Sequence, residues 1–184
     1  MIPKGSVGHR WDDKKGNWNM KFENGADDKV YDPVLSLLGK EEKVVQVGFT
    51  DFGMDKKTNR GVPVQFLETV DGEKIPVTTV YDLTMSQYGV DRGLEGDFPK
   101  DYSDKDAAYT PAWQEVFTGV DSKTIISYAR EWAETASATK GKCMIIVGAG
   151  INHWYHNNLI YRSGIMALML TGCVGRNGGG MNHY

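Results

Sequence analysis

A short, uninterrupted run of apolar residues constrains the fold of this chain more than any other feature. Residues 143–147 read Cys-Met-Ile-Ile-Val, and such runs are typical of strands buried on both faces of a parallel sheet. Glycine follows at once, in Gly148-Ala149-Gly150. Parallel strands need crossover connections, usually helical, so a buried strand that ends in a glycine-rich turn predicts an α/β fold.

Helical patterns precede this strand. Thr110 and Pro111 provide an N-cap and a first-turn proline, which predict a short helix that ends at Gly119. Asp121 or Ser122 then caps a second helix, which residues 140–142 end. Its apolar positions recur at intervals of four, three and four, and they are Ile125, Ala129, Trp132 and Ala136.

A third helix is predicted after the glycine-rich turn, with its end at Gly172. Its residues are apolar on most faces, which predicts that the helix is buried. Together, helix, buried strand, glycine-rich turn and buried helix predict a doubly wound α/β unit over residues 101–184, truncated at its C-terminus. The apolar positions of the third helix are Leu159, Ile160, Gly164, Met166, Ala167, Met169 and Leu170.

Residues 1–100 are predicted to form a loop- and strand-rich segment. Its first part is polar, with tryptophans at 11 and 18, a turn signal at Asn24-Gly25 and one clear strand at 44–49. A β-hairpin is predicted near 62–81, because apolar residues alternate up to Phe66 and again from Ile75 to Thr79, with Asp71-Gly72 between them.

Composition excludes several classes of protein. The net charge is −3, so there is no basic footprint for nucleic acid, and none is expected as a partner. No apolar run approaches the ~20 residues of a membrane span, and the N-terminus lacks the apolar core of a signal peptide. Cys143 and Cys173 are too few for a disulfide framework, and core thiols are expected.

The glycine-rich turn is the main candidate for chemistry, because ligands of open parallel sheets lie beyond the carboxyl ends of the strands. A nicotinamide fingerprint would require glycine at position 153, where this chain has histidine. From the residues alone, a tight strand-to-helix turn and a loop that contacts phosphate both stay open. The candidate ligand-contacting residues of the turn are Gly148, Ala149, Gly150, Asn152 and His153.

Two other features were weighed as sites. His153 and His156 have the spacing of metal ligands on a helix, but no further ligand is near them in sequence, so a buried, hydrogen-bonding histidine is favoured and no metal ligand or catalytic residue is predicted. Dense glycines at 175 and 178–180 predict backbone with positive φ or close approach to a neighbour, and Gly179 is added to the candidate cofactor contacts.

Three stretches carry a resemblance to a known family. Residues 109–113, 118–120 and 129–131 resemble a recurrent pattern of the molybdopterin oxidoreductases, as does the glycine-rich ending after Leu170-Thr171-Gly172. Residues 146–156, 77–84 and the opening at 2–11 are similar to the catalytic α-subunits of membrane-bound respiratory nitrate reductases. Those subunits are much longer, so the resemblance implies an internal fragment.

The resemblance implies two intertwined α/β domains, which surround a molybdenum ion held by two molybdopterin guanine dinucleotides. It also implies that the parent enzyme reduces nitrate to nitrite with electrons derived from quinol. In related enzymes, positions matching Ala149 and His153 contact this cofactor. The family's 4Fe-4S segment and its molybdenum-ligating aspartate are not matched here. The implied partners are nitrate, an iron–sulfur β-subunit and a membrane cytochrome subunit. The implied location is the cytoplasmic side of the cell membrane, with the fragment itself soluble.

Two alternatives from other classes remain open. One is a non-redox nucleotide-binding α/β module that uses residues 148–152 on a phosphate. The other is a structural α/β domain whose glycines serve tight turns. A fragment without a metal ligand is expected to be inactive alone.

Overall fold

The computed structural model describes residues 34–52, 55, 57–69 and 71–183, together with the backbone of four short strands between residues 11 and 31. Its contacts divide the chain into two compact units, Met1–Gln114 and Glu115–Tyr184. The domain boundary expected near residue 100 stays a prediction. None of the described helices is both long and apolar enough to cross a membrane.

The elements are given in chain order. The strands of the first unit are β1 (Trp11–Asp12), β2 (Asn17–Trp18), β3 (Phe22–Asn24), β4 (Lys29–Tyr31), β5 (Lys43–Thr50), β6 (Lys57–Glu68) and β7 (Lys74–Val77). Helix α1 (Val80–Gln87) follows, and then α2 (Pro111–Thr118), which contains the division between the two units at residues 114 and 115. The second unit continues with α3 (Ser122–Ala138), β8 (Met144–Val147), a 3₁₀ helix (Ala149–His153), α4 (Asn157–Leu170) and β9 (Gly180–His183).

An antiparallel sheet in the order β5-β6-β7 forms the centre of the first unit. The alternating apolar residues of β5 and β6 share one face, where Phe49, Val62 and Val64 are buried together. The predicted hairpin is present as β6 and β7, with Gly72 at a φ of +84° in its turn. The predicted strand at 44–49 is confirmed as β5.

Helix α1 is a correction to the sequence prediction, which extended the second hairpin strand to Thr79. Thr79 instead caps α1, since its hydroxyl accepts a hydrogen bond from the Asp82 N–H at 3.0 Å. The Asp82 carboxylate is fully buried, accepts from the Leu37 N–H at 2.8 Å and pairs with Arg92 at 2.6 Å. This carboxylate therefore joins α1 to two flanking loops.

The predicted helices before the apolar strand are confirmed. Thr110 Oγ1 accepts from the Trp113 N–H at the start of α2, and Asp121 caps α3. On the predicted apolar face of α3, Ala136 is buried and Trp132 packs against the core, whereas Ala129 is exposed. The core of the second unit joins α3 and α4 to the sheet, and it consists of Ala136, Cys143, Leu168 and Cys173, with Trp132, Ile145 and Met181 packed against it.

The parallel pairing of β8 with β9 across α4 confirms an α/β architecture. The prediction that β8 is buried on both faces was wrong. Only one face is covered, and the Ile146 side chain on the other face is 73% exposed. Burial of the third helix was also wrong. Of the residues of α4, only Leu168 is fully covered, while Leu159 and Met169 are exposed, because the described elements pack against one side of this helix.

Some expectations lie outside the described residues. The structure does not describe the side chains of Trp11 and Trp18 or the turn at Gly25. It also does not describe residues 2–10, which carry part of the sequence resemblance. The backbones of β3 and β4 do pair antiparallel on either side of residues 25–28.

Candidate functional site

The candidate site lies where the two parallel strands of the second unit end. Val147, the last residue of β8, is in register with His183, the last residue of β9. The chain leaves β8 through Gly148, turns through the 3₁₀ helix and enters α4 at Asn157. All five candidate residues of the glycine-rich turn therefore lie in one short segment beyond the carboxyl end of β8, the position at which parallel sheets bind ligands.

Helix α4 begins at Asn157, two residues before Leu159, the first apolar residue that the sequence assigned to it. His156, which precedes it, has left-handed backbone with a φ of +60° and makes no side-chain cap. The 3₁₀ helix and the residues after it separate the glycines from α4, and they place the side chains of residues 152–156 at the turn.

Gly148 and Gly150 differ from the other glycines in the described part of the chain. Each of the others has a positive φ or has atoms that would crowd an added Cβ, whereas these two have neither. Gly148 has extended backbone, with a φ of −95°, which any residue can adopt. Nothing within the described chain therefore requires glycine here, and an added side chain would occupy open space beyond the strand.

The polar side chains of the turn face outward. Asn152 and His153 are exposed. The Asn152 amide oxygen accepts a hydrogen bond from the Tyr161 hydroxyl at 2.6 Å, and its backbone carbonyl accepts from Asn157 Nδ2 at 3.3 Å. These two contacts fix Asn152 on the start of α4.

Sequence reasoning missed His183 and Tyr161. The Tyr161 ring lies 5.6 Å from the His183 ring, between centroids. His183 was set aside because it lies 30 positions after His153. Parallel pairing nevertheless brings it to the same edge. The usable signal was an apolar strand followed by a helix and a second strand, which together bring the two carboxyl ends to one side.

Gly179 lies at the other end of the strands. It directly precedes β9, whose first residue pairs with Met144 at the beginning of β8. An added Cβ on Gly179 would lie 2.3 Å from the Gly141 carbonyl oxygen and 2.4 Å from that of Cys173. Close backbone approach explains this glycine, and positive φ explains Gly175, Gly178 and Gly180. The structure thus does not bring Gly179 together with the turn.

The remaining candidates for chemistry show no metal centre. Among the described residues, no three His, Cys, Asp or Glu side chains are arranged to hold a metal ion. The expectation of a buried histidine at 153 or 156 was wrong, because both are exposed in the 152–156 loop. Cys143 and Cys173 are buried, and burial, together with the neighbouring Cys173, raises the pKa of the Cys143 thiol.

Comparisons with known proteins agree on one family. Residues 13–184 match the family model described as molybdopterin oxidoreductase. The whole chain is 44% identical to the respiratory nitrate reductase 1 alpha chain of Escherichia coli and 40% identical to the nitrate reductase alpha chain of Bacillus subtilis. Over 92% of its length it is 30% identical to the perchlorate reductase subunit alpha of Dechloromonas aromatica. The chain spans 15–16% of the length of these relatives.

Proposed function

The chain belongs to the molybdopterin oxidoreductase family, and from that premise we propose that it forms part of the catalytic α-subunit of a respiratory nitrate reductase. Such a subunit reduces nitrate to nitrite. The support is the identity of 40–44% with nitrate reductase alpha chains over the whole chain, against 30% with a perchlorate reductase subunit. We assign nitrate as the substrate on that difference.

The family implies a molybdenum–molybdopterin cofactor, and the carboxyl edge of β8 and β9 fits such a group. Gly148 and Gly150 leave open space that the described chain does not need for its own fold. A pterin or a pyrophosphate could approach the backbone there, because no Cβ projects into that space. We propose that the group is a bis(molybdopterin guanine dinucleotide) centre, with one dinucleotide at this edge.

The residues of this chain bind and orient the cofactor. Gly148, Ala149 and Gly150 offer backbone to it, while Asn152 and His153 offer N–H donors to pterin or phosphate atoms. Gly179 contributes at a distance, because its close packing holds β9 against Gly141. When bound, the molybdenum group supplies the two-electron chemistry on nitrate. No residue of this chain is assigned a catalytic role.

The remaining parts of the proposal concern the parent complex. Electrons derived from quinol reach the site through an iron–sulfur β-subunit and a membrane cytochrome subunit, on the cytoplasmic side of the membrane. A 4Fe-4S cluster belongs to the same α-subunit at residues other than those of this chain. These assignments are what the sequence resemblance to respiratory nitrate reductases implies.

The test is a substitution that fills the open space at the turn. In the full-length subunit, we expect Gly148→Val to reduce molybdenum and guanine nucleotide content at least about tenfold, with nitrate-dependent oxidation of reduced viologen reduced in proportion. The matched control is Lys142→Val, at the exposed amino end of the same strand. Equal cofactor content in the two variants would contradict the proposed site.

The same experiment separates the non-redox alternative. A full-length protein that retains guanine nucleotide but neither contains molybdenum nor oxidises viologen with nitrate would be a nucleotide-binding module. Elemental analysis and nucleotide quantification on one purified sample decide between the two functions.

A further inference from the structure

One tyrosine connects the glycine-rich turn with the end of the neighbouring strand. Tyr161 lies on α4, donates its hydroxyl hydrogen bond to Asn152 Oδ1 at 2.6 Å, and packs its ring against His183 with centroids 5.6 Å apart. It is only partly exposed, whereas Asn152 and His183 are exposed. One side chain therefore contacts two polar groups that different elements bring to the same edge.

The contact with Tyr161 decides which atom of Asn152 remains for a ligand. A side-chain amide has one oxygen acceptor and two N–H donors. Because the oxygen receives the tyrosine hydroxyl, the Nδ2 group remains as donor, and none of the described residues accepts from it. The backbone carbonyl of Asn152 is also occupied, by Asn157 Nδ2. Asn152 is thus held through its two oxygen atoms, and the N–H donors of its Nδ2 group are available to a ligand.

His183 adds a second donor at the same edge. It ends β9 directly beside Val147, where β8 ends. A histidine ring carries at least one N–H donor, and the ring of His183 packs against that of Tyr161. An amide N–H and an imidazole N–H on one open edge suit acceptor oxygens of an anionic group better than they suit another donor.

We infer that Tyr161 is a positioning residue of this site, and that Asn152 Nδ2 and the His183 ring form a donor pair for phosphate oxygens of the bound dinucleotide. This inference rests on the proposed function. It goes beyond that function in three respects: it restricts the ligand atoms of Asn152 to phosphate oxygens, it adds a contact from His183, and it gives an indirect role to Tyr161, which touches the cofactor only through Asn152.

The experiment is a double-mutant cycle in the full-length holoenzyme. Tyr161→Phe keeps the ring that packs on His183 and removes only the hydroxyl. We expect it to lower guanine nucleotide content about three- to tenfold, as Asn152→Ala does, and the double variant to lose no more than Asn152→Ala alone. Tyr128→Phe, at an exposed position of α3, should match wild type.

His183 is tested by a conservative pair. His183→Gln retains an N–H donor and should keep most of the nucleotide, whereas His183→Leu should lose it about tenfold. Cofactor-free protein of each variant is measured by thermal melting, where all variants should match wild type. Additive effects in the cycle, or equal losses in His183→Gln and His183→Leu, would overturn the inference. A wild-type subunit without molybdenum cofactor would instead overturn the proposed function.

Discussion

At the scale of single residues, two glycines of the second unit serve opposite purposes. Gly179 is required by the fold, because an added Cβ would collide with the carbonyl oxygens of Gly141 and Cys173. Gly148 has permissive backbone and open surroundings, so the fold does not require it. The proposed cofactor site would explain why glycine is nevertheless present at this position.

This contrast gives the first prediction. In the chain as given, Gly148→Val should change the free energy of unfolding by no more than about 0.5 kcal/mol, since surface changes at compatible backbone are mild. Gly179→Val should destabilise by about 1–3 kcal/mol or more, because the new side chain overlaps backbone atoms. Urea unfolding followed by circular dichroism measures both, and equal losses would contradict the distinction.

Asp82 shows how one buried carboxylate can stabilise a whole unit. Burial by itself would raise the pKa of Asp82. Hydrogen bonds from the Leu37 N–H, the Ser36 hydroxyl and Arg92 outweigh burial, so that the pKa lies below its ordinary value. Because the folded-state pKa is the lower one, this stabilisation is fully present above the unfolded-state pKa of about 3.9. It is lost as pH falls through the folded-state value.

We therefore predict that Asp82→Asn removes an acid-dependent part of the stability. At pH 7 the variant should be destabilised by about 3–5 kcal/mol, because Arg92 is left buried without its charged partner. Below about pH 4 the difference from wild type should shrink, since protonated Asp82 has lost the same interaction. Asp71→Asn, in the exposed hairpin turn, is the control. A loss that is constant from pH 7 to pH 3 would contradict this account.

At the scale of elements, local signals predicted most of the structure correctly. The helices α2 and α3 could be predicted from their caps at Thr110 and Asp121, and the strands β5 and β6 from their alternating apolar residues. Each of these signals depends only on neighbours along the chain. Burial of β8 and α4 was mispredicted. An apolar sequence predicts that a strand or helix is buried, but it does not identify what buries it. Here the described elements of the chain leave part of that surface exposed.

Helix α1 was missed for a related reason. Its C-terminal carbonyl groups, those of Ser86 and Gln87, accept hydrogen bonds from Arg60 on β6, with distances of 3.1 and 2.8 Å. The Arg60 side chain also donates to the Asp97 carbonyl at 2.7 Å. This cap comes from a strand more than twenty residues away, so no local pattern at the end of α1 announces it.

Arg60 gives the prediction at this scale. Arg60→Lys keeps the charge but cannot reach three carbonyl groups in the planar geometry of a guanidinium. Burial lowers the pKa of Arg60, and a lysine there would carry the same desolvation with fewer hydrogen bonds. We expect destabilisation by about 1–3 kcal/mol in thermal or urea unfolding. Arg130→Lys, on the exposed surface of α3, should have little effect, and similar losses from both would contradict the capping role.

At the scale of the whole molecule, the candidate site was predicted in part. The turn at 148–153 could be found because an apolar strand and its glycines are contiguous in sequence. His183 and Tyr161 could not, because their proximity to Asn152 arises from parallel pairing and helix packing. No residue of this chain is assigned as a ligand of molybdenum.

The chain as given should therefore lack catalysis. We predict no nitrate-dependent oxidation of reduced viologen and no stoichiometric molybdenum, because a site assembled from several segments loses its preorganisation when only one is present. The exposed apolar surface of β8 and α4, including Ile146 and Met169, should bind a hydrophobic dye. Ile146→Thr should reduce that binding, whereas Val90→Thr in the other unit should do so less. Activity or bound molybdenum in the purified chain would overturn this reading.

The parallel pairing of β8 and β9 also affects the order in which the second unit folds. Met144 pairs with Gly180, 36 positions later, whereas the hairpin of β6 and β7 closes over only six, between Glu68 and Lys74. Contacts that close long loops form slowly, because their entropy must be lost before they gain energy. We expect α3 and α4 to form first and the strand pair last. The edge at which His183 packs against Tyr161 is then completed at the end of folding, so a bound group would meet an almost finished protein.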